Sequence, residues 1–151
     1  MPQFTPQVTD FEQRVRASFA RQTFMTTIGA RLVSVEPGVV AIELPFRADL
    51  TQQHGFLHAG VVTAIVDNAC GYAALSLMAE DAAVLTVEYK INFLAPATGE
   101  SVIAIGRVIK LGGTITVCTG DVNTVRDGQK KLIATMQATM MGLRDREGLR
   151  G

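Results

Sequence analysis

Apolar residues crowd residues 57–78, where Val61, Val62, Ala64, Ile65, Val66, Ala69, Cys70, Tyr72, Ala73, Ala74, Leu75 and Leu77 point in every direction around a helical wheel. The stretch has no proline and only one glycine after Gly60. It predicts a helix enclosed on all sides, about 33 Å long for 22 residues. The period is two after that helix. Leu85, Val87, Tyr89, Ile91 and Phe93 alternate with Thr86, Glu88, Lys90 and Asn92, as in a half-buried strand with the two sets on opposite faces. Further strands are expected over 101–110, 114–125 and 131–143, separated by the Gly112-Gly113 and Asp127-Gly128 turns. Upstream, β-branched runs at 30–36 and 39–44 flank Glu36-Pro37-Gly38, which marks a hairpin, and Pro45 closes the second run. Thr9-Asp10-Phe11-Glu12 has the form of a capping box. With Phe11, Val15 and Phe19 it predicts a short amphipathic helix over about 10–21.

This order of elements is that of an α+β domain in which a curved antiparallel sheet wraps a long central helix, with a short N-terminal helix outside it. One domain is expected over 1–151, with a core at about 30–143 and a charged, frayed tail at 144–151. A sheet covers a helix only part way round. The second cover is expected to be the same helix of another subunit, so a homo-oligomer is anticipated.

Composition narrows the partners. The chain has 151 residues, 48% of them apolar and 19% charged, with 14 basic against 14 acidic side chains. That balance supplies no basic excess for phosphate backbones, so no nucleic-acid partner is expected. The low charged share again suggests surface hidden in an oligomer. No window is apolar for long enough to span a bilayer, and residues 1–16 lack the pattern of a secretory signal. Cys70 and Cys118, each in an apolar stretch, read as buried thiols of a reducing compartment, and a cytoplasmic location is expected.

Two features carry candidate chemistry. From Ala48 to Tyr89, a span of 42 residues, there is no Lys or Arg, yet Asp67 stands in the middle of the predicted helix. A carboxylate in such company is costly unless it is solvated, hydrogen-bonded, neutral or retained for function. The second feature is residues 52–60, Gln-Gln-His-Gly-Phe-Leu-His-Ala-Gly, leading into the helix. Small residues after His58 let a substrate approach the free N–H groups of the first turn, where negative charge on an oxygen is favoured. His54 and His58 are the only histidines and lack a third ligand nearby, so no metal is expected. His58 and Asp67 are nine residues apart, about 13 Å along a helix and half a turn out of phase. They cannot meet within one chain. If both serve one reaction, Asp67 comes from a second subunit whose helix runs antiparallel to the first.

His58-Ala59-Gly60 followed by Asp67, together with residues 86–96 (Thr-Val-Glu-Tyr-Lys-Ile-Asn-Phe-Leu-Ala-Pro), resembles hotdog-fold acyl-CoA thioesterases of the phenylacetate-degradation (PaaI-like) group. The resemblance spans about 30–143. It implies a hotdog protomer forming a dimer or a dimer of dimers, acyl-CoA bound across the subunit interface, and no cofactor. By position it implies that the Ala59 N–H and the Gln52 amide polarise the thioester carbonyl, while His58 positions its neighbours. The partner's Asp67 is then base or nucleophile, and Thr86 holds the water. Three departures stand out: Gln52 replaces the usual Asn, Ala59 replaces a Gly, and Gly113 stands where an Arg is common.

The leading expectation is hydrolysis of an acyl or aromatic-acyl thioester, with Gln52 and the Ala59 and Gly60 amides around the oxygen and Asp67 activating water. Phe56, Tyr72, Arg107, Lys110, Gly112 and Gly113 are candidate substrate or coenzyme A contacts, with Lys131 a further phosphate neighbour. Alternatives are a non-catalytic acyl-CoA-binding protein and a hotdog hydratase or dehydratase. The acyl group, and whether the carrier is coenzyme A or protein-bound pantetheine, stay open.

Overall fold

The computed structural model describes residues 3–151, so the part of the leader expectation that rests on residues 1–2 lies outside it. The elements run α1 (Phe11–Ala20), α2 (Thr23–Ile28), β1 (Arg31–Glu36), β2 (Val39–Pro45), a 3-10 turn at Ala48–Leu50, α3 (Ala59–Leu75), β3 (Ala83–Phe93), β4 (Ser101–Lys110), β5 (Ile115–Arg126) and β6 (Gln129–Leu143). The six strands form one antiparallel sheet in the order β1-β2-β4-β5-β6-β3. It curls around α3, which packs on all of its strands from β2 to β6.

Two facing glycines seat the helix. Gly106 of β4 pairs with Gly120 of β5 on the inner face. A Cβ at Gly106 would collide with the Ala69 carbonyl and the Cys70 amide, and one at Gly120 with the Val66 side chain. Their absence lets the helix backbone lie directly on the sheet. Val66, Ala69, Cys70 and Ala73 are all 0% exposed there, at the density of a close-packed interior. The far end of α3 is tied to the β1–β2 hairpin through buried Ser76, whose hydroxyl donates to Ala73 O (2.7 Å) and accepts from Gly38 N (2.8 Å).

Several expectations need correction. The helix spans 17 residues rather than 22, about 26 Å. Leu57 is extended and donates to Ala97 O, while Leu77 and Met78 tighten into i to i−3 bonds. Nor is α3 enclosed all round: Ala59, Gly60, Thr63, Asp67, Asn68 and Gly71 lie on a face that the sheet leaves partly open. No capping box forms at α1. Asp10 is its N-cap without a side-chain bond, and Glu12 pairs with Arg16 instead. The two-residue period of β3 breaks where the register against β6 shifts between Thr86 and Glu88. One extra residue there reverses the alternation. Thr86, opposite Met140, therefore shares the inner face with Tyr89, Ile91 and Phe93, opposite Ala138, Met136 and Ala134.

Helix α2 was not expected from the sequence. Six residues are too few to display a period, yet Met25 and Ile28 are buried, and Gly29 at φ 79° closes it. The tail is engaged rather than free. Gly151 N–H donates to Ala82 O (3.1 Å), and Arg21 donates to Gly151 O (3.2 Å). Ala82 O and Met78 O also accept from the Arg14 guanidinium at 2.7 and 3.0 Å, which joins α1 to the turn after α3.

Candidate active site

Asp67 sits midway along α3 on its open face, and Thr86 Oγ1 donates to its Oδ1 at 2.7 Å. No cation pairs with it among the described residues. Burial pushes its carboxyl above the usual carboxylate range, and the Thr86 hydrogen bond offsets part of that rise. The result is a partly buried, oriented carboxylate whose Oδ2 meets no side-chain donor among the described residues, suited to accepting a proton. It borders a cavity of about 380 Å³, together with Asn68, Gly71 and Tyr72 of α3, Val84 and Thr86 of β3, Ser18 and Gln22 near α1, and Leu149–Gly151 of the tail.

The start of α3 is built from the loop before it. His58 is the N-cap, in extended conformation, and its Nδ1 accepts from Gly60 N (2.8 Å). An accepting Nδ1 carries no hydrogen, so the neutral ring bears its hydrogen on Nε2. The Gly60 N–H is thus engaged by its own cap. Among the described residues no acceptor takes the Ala59 N–H, which remains the open donor of the first turn. In the preceding turn Gln52 O accepts from Gly55 N (3.0 Å), and Gly55 adopts φ 84°, a left-handed conformation that glycine allows without strain. Gln52 Oε1 bonds the His54 N–H. The long side chain is thereby folded back, and among the described residues its Nε2 hydrogens are uncommitted. Gln52, Phe56 and Ala59 border a second cavity of about 420 Å³, whose far wall is Phe93–Ala97.

The structure therefore sorts the expected residues into two groups. Gln52, Phe56 and Ala59 face one cavity, with His58 at its helix start, while Asp67, Thr86 and Tyr72 face another. Neither cavity holds both the carboxylate and the open N–H. Arg107 projects from the outer face of β4 and pairs with Asp121 (3.7 Å), and Lys110 follows a register shift after Val108; neither reaches either cavity. Gly112 and Gly113 form the β4–β5 turn, where a Cβ at Gly112 would collide with Ile115 O. Lys131 joins Arg126 and Lys130 in a separate cleft at the β5–β6 hairpin. Sequence reasoning missed Ser18, Gln22, Asn68, Gly71 and the tail. Only Gly71, a glycine inside a helix, gave a local signal.

Six antiparallel strands curled around one long helix are the hotdog architecture, an α+β fold. The model of the thioesterase superfamily matches residues 54–131. A thioesterase family protein of Silicibacter pomeroyi of known structure is 55% identical, covers 87% of this chain and 97% of its own, and superposes with a TM-score of 0.86. Acyl-coenzyme A thioesterase 13 of Homo sapiens is 29% identical over 132 residues, 86% of this chain and 92% of that protein. A putative esterase of Saccharolobus solfataricus is 32% identical over 91 residues, 60% of this chain and 64% of the esterase. The E. coli PaaI protein, 21% identical over 91% of this chain and 94% of its own, shares the fold with a TM-score of 0.77. The chain belongs to the thioesterase superfamily, whose members hydrolyse thioesters.

Proposed function

We propose that this protein hydrolyses acyl-coenzyme A in a homodimer, with each site assembled from the carbonyl cradle of one protomer and Asp67 of the other. The observation that carries this reading is the separation just described: an open helix-start N–H and an uncommitted amide in one cavity, an oriented carboxylate in another. Antiparallel pairing of two protomers joins each half to its complement. Edge strand β3 suits that pairing. Its free backbone edge is flanked by Leu85, Val87, Tyr89 and Phe93, each 45–52% exposed, an apolar edge of the kind that proteins otherwise blunt or cover. The relative named acyl-coenzyme A thioesterase 13 supports coenzyme A as the carrier. The whole chain acts as one domain, and its two buried, unbridged thiols suit the cytoplasm.

The reaction follows from these groups. The thioester oxygen accepts from Ala59 N–H and Gln52 Nε2, which are placed to stabilise the negative charge that grows on it. Water beside Asp67 Oδ2 gives a proton to the carboxylate as its oxygen adds to the carbonyl carbon. The tetrahedral adduct then collapses and the carbon–sulfur bond breaks. The sulfur leaves as a thiolate, or as a thiol with the proton that Asp67 took, and the acyl group leaves as the acid. Thr86, bonded to Oδ1, keeps Oδ2 turned toward the water. Nothing in these steps calls for a cofactor.

Subunit mixing tests the reading. Asp67→Asn and Gln52→Ala proteins, each inactive alone, are unfolded, mixed and refolded together. A random mixture makes half its dimers hybrid, each with one intact site, so about a quarter of wild-type thiol release returns. No recovery, with hybrids present, refutes sharing across the dimer. Thiol release by the wild type from none of a panel of short, long and aromatic acyl-CoAs refutes hydrolysis and leaves a binding protein.

A further inference from the structure

We infer that Met140 is a positioning residue for the reaction: its thioether is a second acceptor for the Thr86 hydroxyl, to which the hydrogen turns when Asp67 holds a proton. Its part in turnover rests on the proposed hydrolysis, whereas the protonation of Asp67 that it governs does not.

Thr86 Oγ1 has two acceptors within reach. Asp67 Oδ1 lies at 2.7 Å and Met140 Sδ at 3.5 Å, the longer distance suiting the larger atom. Met140 of β6 stands directly opposite Thr86 of β3, at the register shift that turns Thr86 inward. One hydroxyl carries one hydrogen, so the two acceptors compete for it.

An ionised Asp67 wins, because a hydrogen bond to a carboxylate is roughly twice as strong as one between neutral groups and a thioether is a weak acceptor. A protonated Asp67 reverses the order. With the proton on the oxygen that faces Thr86, the carboxyl donates to Oγ1, and the Thr86 hydrogen swings about the Cβ–Oγ1 bond onto Met140 Sδ. A proton taken on Oδ2 reaches that place by a half-turn of the carboxyl group. Only the Asp67 O–H bond is made or broken, and Thr86 keeps its hydrogen throughout.

The sulfur is free for this part. Met140 and Thr116, its ladder partner in β5, are each 0% exposed, and among the described residues no other hydrogen bond engages Sδ. Leucine would fill a similar volume and offer no acceptor. The acid form of Asp67 thus keeps a hydrogen-bonded place of its own, which eases the step in which the carboxylate accepts a proton from water. The titratable groups on the elements around it are Cys70 and Tyr72 of α3, Tyr89 of β3, Cys118 of β5 and Arg150 of the tail. The inner face of β6 presents Ala134, Met136, Ala138 and Met140. Burial pushes both thiols up, so they stay neutral, and neither phenols nor guanidiniums titrate in the acid range of a carboxyl. The proposed dimer adds the partner's His58, so Asp67 is best followed by its own signal.

The test titrates the 13C carboxyl resonance of Asp67, identified by its loss in Asp67→Asn, alongside the acid limb of kcat/KM for the best substrate of the acyl-CoA panel. In Met140→Leu both midpoints move about half a unit to lower pH, a change of about threefold in the acid constant, because the neutral acid loses a weak hydrogen bond. Norleucine in place of methionine exchanges only sulfur for methylene and gives the same shift should the leucine variant fold poorly. Met136→Leu alters another buried methionine of β6, opposite Ile91 rather than Thr86, and shifts neither midpoint. In a Thr86→Val background Met140→Leu has no further effect. A merely structural methionine gives the opposite sign, since loosening Thr86 weakens its bond to the carboxylate and moves the midpoint up. An upward shift, no shift, an equal shift in Met136→Leu, or a shift that persists without the Thr86 hydroxyl would overturn the inference. A carboxyl midpoint that moves as expected in a protein that releases no thiol counts against the thioesterase reading alone, and hydrolysis with an unmoved midpoint counts against the role of Met140 alone.

Discussion

Thr86 Oγ1 donates to Asp67 Oδ1 across 2.7 Å, bonding the edge strand to the central helix at the point where β3 changes register. The pair exists because one extra residue turns Thr86 inward. An unbroken strand would aim this hydroxyl at the opposite face, leaving the carboxylate without its donor.

The pH dependence follows from that pair. Burial raises the Asp67 carboxyl above its ordinary 3.8, and the proposed reaction uses the ionised form. Activity is therefore lost as pH falls through the raised value, and the acid limb of kcat/KM lies above the range of an exposed aspartate. Thr86→Val removes the influence that lowers this pKa, so its limb moves to still higher pH, with turnover at neutral pH down about tenfold. A limb that stays put in Thr86→Val contradicts the assignment.

Removing the charge separates catalysis from stability. Asp67→Asn keeps the shape and an acceptor for Thr86, and its turnover drops by about 10² or more. A carboxyl whose folded-state pKa is raised costs stability once it ionises. The variant therefore melts higher than wild type at neutral pH, and the gap closes as acid neutralises Asp67. Paired melting curves at neutral and acidic pH measure this.

His58 caps α3, and substitution can divide that contact from the part proposed for it in the site. As N-cap it accepts from Gly60, and His58→Ala costs about 1 kcal/mol of unfolding free energy. Asparagine is a strong cap, so denaturant titration of His58→Asn gives nearly wild-type stability. If its thiol release nevertheless falls, the loss belongs to the exposed Nε2–H side of the ring rather than to the helix.

Seating of the helix predicts a different cost. In Gly106→Ala the new methyl meets backbone atoms of Ala69 and Cys70, which have no rotamer to retreat into. A destabilisation of about 3 kcal/mol is expected from overpacking. Gly128→Ala, in the β5–β6 turn at φ 73° with open space around the methyl, costs only about 1 kcal/mol. Equal midpoints for the two would contradict the close approach of helix and sheet.

Association is tested on the edge strand. Tyr89→Glu and Val87→Lys place charge along the free border of β3 and shift the solution mass to that of a monomer. Activity should disappear with the dimer.

Much of this was legible in the chain. The helical wheel at 57–78 located α3, and the β-branched runs found the other strands, because long amphipathic elements repeat their pattern often enough to be seen. Asp67 stood out through the charge-free company it keeps. The inward turn of Thr86 was hidden, since one inserted residue in β3 leaves the composition unchanged while reversing every face after it. The cap on Gly60 was equally silent, as histidine is no common N-cap. Gln22 and Ser18 reach Tyr72 only because α1 folds back over α3, 50 and 54 positions away. No local period encodes such a contact.

The parting of Gln52 and Ala59 from Asp67 into two cavities has a kinetic corollary. On the proposed sharing a lone chain owns two incomplete workshops, so specific activity should decline on dilution once subunits separate, and catalytic output would become a gauge of the association equilibrium.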